Sequence, residues 1–398
     1  MESIKDRVAI IGMGCTYFGE LWDKGPEDLI IDSVYEAYED AGVEPKDIQA
    51  AWLGTAGGAQ TGQLLAYALK LQTIPITRVE NACATALDGF RNACYAVAAG
   101  IYDIVLAVGA EKLVDQGYTG LGTVGKFGVM GMPTSGVMPP TPPPVQFALA
   151  ATRYAHHYGM SIQDLKATLA KIAVKNHHNG ILAPKAHMRK EIIAEQVINA
   201  PMIAWPLGLF DCCGVSDGGA AAIITRPEIA KKYRDDYVLV KGLGLSVGGH
   251  QGTVGDDWDF VHFMENVAAS KAAYAEAGIT NPREEIDVAN VHDCFTITEL
   301  LIYEDLAWSA RGKAKEDIDA GFFEMTGGLP VNTDGGLKSF GHPVGASGLR
   351  MTYEVYKQLQ GKAEDRQLKK ADIGLTHNLG TYLAGSYSCS VGIFGKRD

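Results

Sequence analysis

The feature that most limits how this chain can fold is a long-period repetition of pattern within its 398 residues. Residues 37–56, AYEDAGVEPKDIQAAWLGTA, and residues 273–294, AYAEAGITNPREEIDVANVHDC, follow one plan. Each reads as the end of a helix, a glycine stop, an acidic linker, a strand, and a turn bearing polar or reactive groups. A second pairing supports the first: the helix behind Cys83 with its strand IVLAVG (104–109) matches GHPVGASGLRMTYEVYKQLQG (341–361) with IGLTHNLG (373–380). Each half also closes on an apolar strand, AAAIIT at 220–225 and SCSVGIFG at 388–395. The pattern predicts an α/β fold of two similar halves, residues 1–235 and 236–398. Their equivalent turns would meet at a shared interface, where ligand clefts form in such architectures.

Within the first half, Cys83 is followed by small residues and then by Leu87, Phe90, Cys94 and Val97 at helical spacing. The thiol is therefore expected at a helix start. Unpaired N–H groups and the positive end of the helix dipole there favour thiolate over thiol, which is what a cysteine nucleophile requires. The competing reading is an inert core cysteine. The GMG at 12–14 invites comparison with a dinucleotide loop, but the helix starts only a dozen residues later, so a plain strand-to-loop turn is expected.

From about 114 to 206 runs a stretch that belongs to neither half, expected to be an inserted cap over the cleft. It holds MPPTPPP (138–144), where prolines forbid a central strand, and the basic segment KNHHNGILAPKAHMRK. Lys175, Lys185, Arg189 and Lys190 stand out on a chain of net charge −12. They are candidates to meet the phosphates of a ligand, with a solvated loop face as the alternative. The acidic balance excludes a general nucleic-acid binder. His156-His157 and His177-His178 are read as surface residues, because adjacent side chains diverge and no cysteine or carboxylate stands at ligand spacing; no metal is expected. Met130, Met132 and Met138 could shape an apolar pocket or simply fill space. Seven cysteines without a CxxC suit a reducing compartment. With no leader-like start and no apolar run of about 18 residues, the expectation is a cytoplasmic protein that does not enter the membrane.

Four segments carry chemistry: NACATA around Cys83, HDCF at 292–295, GHPVGASG at 341–348 and HNLG at 377–380. In this order the chain resembles the thiolase superfamily, most closely the sterol-carrier-protein-type thiolases, in which HDCF replaces the NEAF motif of other thiolases. The resemblance spans nearly the whole chain and implies the thiolase fold, a duplicated five-layered αβαβα sandwich with an inserted loop domain. It implies Cys83 as the acyl-accepting nucleophile, His342 as its base, and His292 with His342 as donors to the thioester oxygen. Cys294 becomes the second acid/base, and the amides of Cys83 and Gly380 the oxyanion hole. Most thiolases carry a further cysteine in a Cys-x-Gly motif where Asn378 stands here, which leaves Cys294 as the acid. Cys15, Cys94, Cys212, Cys213 and Cys389 are read as fillers, and His377 either touches substrate or makes a structural hydrogen bond.

The activity so implied is thiolysis or formation of a 3-oxoacyl-CoA, with coenzyme A as co-substrate and no bound cofactor. Two alternatives are a retro-aldolase of a 3-hydroxyacyl-CoA, whose relatives are expected to lack the nucleophilic cysteine, and a non-catalytic acyl-CoA or lipid binder. Lys185, Arg189 and Lys190 are the candidates for the CoA phosphates. The resemblance further implies a homodimer and, as in the thiolases of anaerobic aromatic degradation such as benzoylsuccinyl-CoA thiolase, a small zinc-ribbon/OB-fold subunit of the DUF35 type.

Overall fold

The computed structural model describes residues 3–117, 142–249, 259–383 and 386–397. Most of the proline-rich run, with Met130, Met132 and Met138, lies outside the described residues. The first half comprises β1 (Ala9–Cys15), α1 (Pro26–Ala41), β2 (Ala50–Gly54), α2 (Gln63–Leu69), β3 (Ile76–Val79), α3 (Thr85–Ala98) and β4 (Ile104–Glu111). After α4 (Pro143–His157), α5 (Ile162–Ile181) and a small hairpin of β5 (Met202–Ala204) and β6 (Leu207–Gly208), it ends on β7 (Gly218–Thr225). The second half comprises β8 (Val238–Val247), α6 (Met264–Ala277), β9 (Val288–Asn290), α7 (Thr296–Asp305), α8 (Ser347–Gln360), β10 (Ile373–Leu383) and β11 (Ser386–Gly395).

The strand order is β3-β2-β4-β7-β1-β8-β11-β10-β9. It is symmetric about the β1–β8 contact. On each side the central pair and the next pair are antiparallel and the outer pair is parallel. A fifth strand has its echo in the second half as one parallel bridge, Ala289 to Val331. The half-sheets join where β1 pairs with β8 at Ala9–Leu239 and Ile10–Val238. α1 covers the first half-sheet and α6 the second, while α3 and α8 touch each other and strands of both halves. This is the duplicated αβαβα layering that the resemblance implies, built from the two α/β halves that the repeated pattern predicts.

The amphipathic spacing of α1 explains its seat: Leu29, Ile30, Val34 and Ala37 are buried against the sheet, and Gly42 closes the helix at φ 69°. Gly12 and Gly14 lie inside β1 rather than in a turn after it. A side chain there would come within 2.5 Å of Ala37 O and 2.0 Å of Ser33 O, so these glycines let α1 lie against the strand. Their reason is helix–sheet packing, not a phosphate.

In the inserted region, Pro143 opens α4 at its first turn, where a missing N–H costs nothing. Phe147 from α4 stacks on Phe295 with ring centroids 4.8 Å apart, which fastens the insertion over the HDCF turn. Helix α7, directly after that turn, is buried along its whole length despite carrying Glu299, Glu304 and Asp305. Among the described residues no helix is long and apolar enough to cross a membrane.

Candidate active site

Cys83 lies two residues before α3, on a turn whose preceding residue, Ala82, has φ 50°. That is a costly left-handed conformation for alanine. The Thr85 hydroxyl donates to Ala82 O, the Asn81 amide donates to Thr85 Oγ1 at 2.8 Å, and Glu80 Oε1 accepts the Ala82 amide at 2.6 Å. The turn holds the thiol at the edge of the middle layer, partly accessible.

From the other half comes His342, whose Nε2 stands 3.3 Å from Cys83 Sγ. Its Nδ1 is 2.7 Å from Ser347 Oγ, and the Ser347 hydroxyl donates to Pro343 O at 2.9 Å. Since the hydroxyl proton is spent on Pro343, Ser347 accepts from Nδ1–H, and Nε2 is left as a bare lone pair facing the thiol. Ser347 is a site residue that the sequence reading did not single out, although it stands at the close of the GHPVGASG turn. The turn is tied to the first half by the buried Glu111 carboxylate. Glu111 accepts the amides of Gly345 at 3.0 Å, Ala56 at 2.7 Å and Gly57 at 2.9 Å.

The electrostatics differ from the thiolate that a helix start alone suggests. Burial, reinforced by the carboxylates of Glu80 and Glu111, pushes the Cys83 thiol up to about 12. Burial first, and then the Arg350 guanidinium, lowers His342 to about 3. The resting pair is neutral thiol with neutral imidazole, because desolvation outweighs the helix dipole. A pair in this state can supply a thiolate only by proton transfer from Sγ to Nε2 during an attack, not from a stored thiolate.

His292 is 1% exposed and its ring stands edge-on to His342, centroids 5.1 Å apart at 83°. Its Nδ1 has no hydrogen-bond partner, and burial with two histidine neighbours holds it well below the ordinary imidazole range. The next residue, Asp293, fastens the two catalytic loops together. Its carboxylate accepts the amides of Leu337 and, at 3.2 Å, Lys338, in the short helix (336–339) that leads into His342. It also accepts Asn176 Nδ2 at 2.7 Å. Cys294 is 5% exposed and 3.8 Å from Thr298 Oγ1; burial first, then Cys213 and Cys83, raise its thiol well above the usual range.

Gly380, on β10, packs against the nucleophile turn: a Cβ there would fall 2.4 Å from the Cys83 amide nitrogen. Only glycine permits this approach. Asn378 is buried, with Nδ2 3.3 Å from Met351 Sδ. His377 makes the structural bond: its Nε2 donates to Asn266 Oδ1 at 2.9 Å, Asn266 being oriented by its own donation to Asp305 at 3.0 Å.

The other candidates are distributed as follows. Lys175, offered as a phosphate ligand, is instead buried in α5 with its ammonium on Glu299, Tyr303 OH and Val331 O. Lys185 donates to Glu36 at 2.6 and 2.7 Å, Arg189 donates to Ile181 O at 2.9 Å, and Lys190 is exposed. Of the paired histidines, His156, His157 and His178 are exposed as expected. His177 is buried beside Phe210, its Nδ1 3.1 Å from Lys190 O. Cys15, Cys94 and Cys389 are buried fillers, but Cys212 and Cys213 are partly accessible. Cys212 bridges Phe295 antiparallel and the Cys213 amide donates to Cys294 O at 2.8 Å, so Cys213 lies across from the candidate acid. Residues so far apart in the chain revealed nothing of this in the sequence.

With this geometry in view, comparison with known proteins places the chain in a class. Residues 8–228 match the family model described as thiolase, N-terminal domain, and residues 249–393 that described as thiolase C-terminal domain-like. The chain is 36% identical to an acetyl-CoA acetyltransferase of Methanothermobacter thermautotrophicus over 94% of its own length and 96% of that protein. It is 30% identical to sterol carrier protein 2 of Homo sapiens over 94% of its length and 70% of that protein. The solved structure of an Ltp2-ChsH2(DUF35) aldolase superposes with TM-score 0.82 at 26% identity, covering 99% of each chain. The chain belongs to the thiolase family. Within it the protein is an acyltransferase of the sterol-carrier-protein-2 type.

Proposed function

We propose that the protein cleaves, or in reverse forms, a 3-oxoacyl-CoA through an acyl-Cys83 intermediate. The observation that carries this reading is the 3.3 Å approach of His342 Nε2, unprotonated in its Ser347-fixed tautomer, to Cys83 Sγ. As Sγ attacks the ketone carbon, its proton passes to Nε2, and the tetrahedral oxyanion forms against the amides of Cys83 and Gly380. One donor of that kind supplies about 3–4 kcal/mol of barrier lowering. Collapse breaks the bond between carbons 2 and 3. The departing CoA-thioester enolate is held through its oxygen by His292 and by His342, which can donate only once it has taken the thiol proton. Cys294, kept as a neutral thiol by burial, protonates carbon 2. The CoA thiol then gives its proton to Cys294 and attacks the acyl-cysteine, releasing the shortened acyl-CoA and the Cys83 thiolate, which takes its proton back from His342. Coenzyme A is thus a co-substrate, and no bound cofactor enters the scheme.

Substrate and assembly are finer parts of the same proposal: an aromatic or branched acyl group such as that of benzoylsuccinyl-CoA, a cytoplasmic setting, a homodimer, and a DUF35-type small subunit. The partner is supported by the likeness to the solved Ltp2-ChsH2(DUF35) aldolase. Lys190 is the cation of the 185–190 segment left to meet CoA phosphates, since Lys185 and Arg189 already have partners. The same likeness, to a protein that is an aldolase, favours a second reading, retro-aldol cleavage of a 3-hydroxyacyl-CoA. Cys83 with its base argues for the thiolase. Incubation with a 3-oxoacyl-CoA and CoA should yield thiolysis products and an acyl mass on Cys83. Cleavage that survives Cys83→Ala sinks the thiolase reading, and cleavage of a 3-hydroxyacyl-CoA by that variant establishes the other.

A further inference from the structure

The centre that meets substrate is also a set of soft ligands. One metal-ligating atom each from Cys83, His292 and His342 lies within 4.8 Å of the others. In a tetrahedral zinc site, with Zn–S of about 2.3 Å and Zn–N of about 2.0–2.1 Å, a sulfur and a nitrogen ligand stand roughly 3.6 Å apart and two nitrogens roughly 3.3 Å apart. Cys83 Sγ and His342 Nε2, at 3.3 Å, need only a small adjustment to reach this. The His292 atom, within 4.8 Å of both, must draw closer on binding, and the buried Nδ1 of His292 has no hydrogen-bond partner to give up.

We propose that Cys83, His292 and His342 form a binding site for a soft divalent cation of the Zn2+ type, which arrests the enzyme by occupying its nucleophile. Binding exchanges one proton for one metal. The Cys83 S–H bond breaks, the proton leaves to solvent, the thiolate and two neutral imidazole lone pairs bond to the ion, and a fourth position stays open to water or a thiol. No oxidation state changes. One further feature of the site favours this. The Nδ1–H of His342 is anchored on Ser347, whose own hydroxyl donates to Pro343 O, and this second bond orients a ligating histidine with Nε2 turned to Cys83 Sγ. His177 and His178 lack this convergence, one bonding Lys190 O and the other Glu191.

The inference rests on the same three side chains as the proposed function, but its test needs no turnover. Metal-free protein is titrated with Co2+ as a spectroscopic stand-in and then with Zn2+. One equivalent of Co2+ should give the visible bands of a tetrahedral ion together with an ultraviolet sulfur-to-cobalt charge-transfer band, and Zn2+ should displace it. Cys83→Ala should abolish the charge-transfer band. His292→Ala and His342→Ala should each weaken Zn2+ binding by more than the roughly 10- to 100-fold that loss of a ligand's outer hydrogen-bond partner costs. Cys294→Ser should leave binding intact. Because a histidine variant can fail to fold, the wild type supplies a second measurement: Zn2+ should protect Cys83 from iodoacetamide, read as the mass of its peptide, and a chelator should restore alkylation. Cobalt bound without the charge-transfer band, binding unchanged in Cys83→Ala, or alkylation of Cys83 unaffected by Zn2+ overturns the proposal. A protein with the cobalt signature but no thiolysis keeps this site and refutes the thiolase reading.

Discussion

Ser347→Ala isolates the element that decides which nitrogen of His342 faces the nucleophile. In the native site Nδ1–H donates to Ser347 Oγ at 2.7 Å, in a position fully shielded from solvent. Removing the hydroxyl orphans that buried N–H, at a cost of about 1–3 kcal/mol. The other tautomer escapes the cost by moving the proton to Nε2, where it points at a thiol that must itself give up a proton. A shift of about 1–2 kcal/mol towards that unproductive tautomer corresponds to a rate loss of about 5- to 30-fold, at 1.4 kcal/mol per factor of ten. We expect kcat for thiolysis to fall in that range, with KM little changed. Ser347→Thr, which keeps an acceptor oxygen, should restore most of it. Alanine and wild-type rates within about twofold, measured on folded protein, would show that Ser347 does not set the tautomer and would undo the assignment of Nε2 as base.

Further expectations come from the same contacts. Gly380→Ala places a methyl 2.4 Å from the Cys83 amide nitrogen, so the oxyanion pocket must open; kcat should drop about 100- to 1,000-fold, and a variant with native kcat removes Gly380 from that pocket. Lys175→Met strands Glu299 beside Asp293 without a cation, and urea unfolding should report a loss of about 3–5 kcal/mol. With the Cys83 thiol near 12 and His342 near 3, the alkylation rate of Cys83 should climb about tenfold per pH unit across the neutral range, following the thiolate fraction. An inflection near the ordinary imidazole value of about 6.5 would mean instead that a Cys–His ion pair forms.

Much of the fold was legible because it rests on local periodicity. The spacing of Leu29, Ile30, Val34 and Ala37 fixes the buried face of α1, and the apolar run 104–109 reads as a strand buried on both faces, as it is. The catalytic motifs were legible for a related reason: HDCF, GHPVGASG and the cysteine before α3 are contiguous, and their order matches a family. Where reading failed, the deciding contact was remote. Gly12 and Gly14 look like a loop until α1 is laid across them. Lys175 looks like a free cation until α7 delivers Glu299 to it across more than a hundred residues. Cys213 looks like filler until the bridge from Cys212 to Phe295 sets it opposite Cys294.

The sequence by itself therefore pointed to the α/β thiolase fold and to the candidate reacting groups, since side-chain chemistry and helical or strand period are properties of short stretches. Only the tertiary structure decided their state. Burial, and carboxylates brought in from Glu80 and Glu111, make Cys83 a protonated thiol where its helix position alone argues for thiolate. Ser347, its hydroxyl held on Pro343 O, sets the His342 tautomer that leaves Nε2 unprotonated towards the thiol. Desolvation and hydrogen-bond geometry depend on what the rest of the chain places around a group, and no local pattern encodes that.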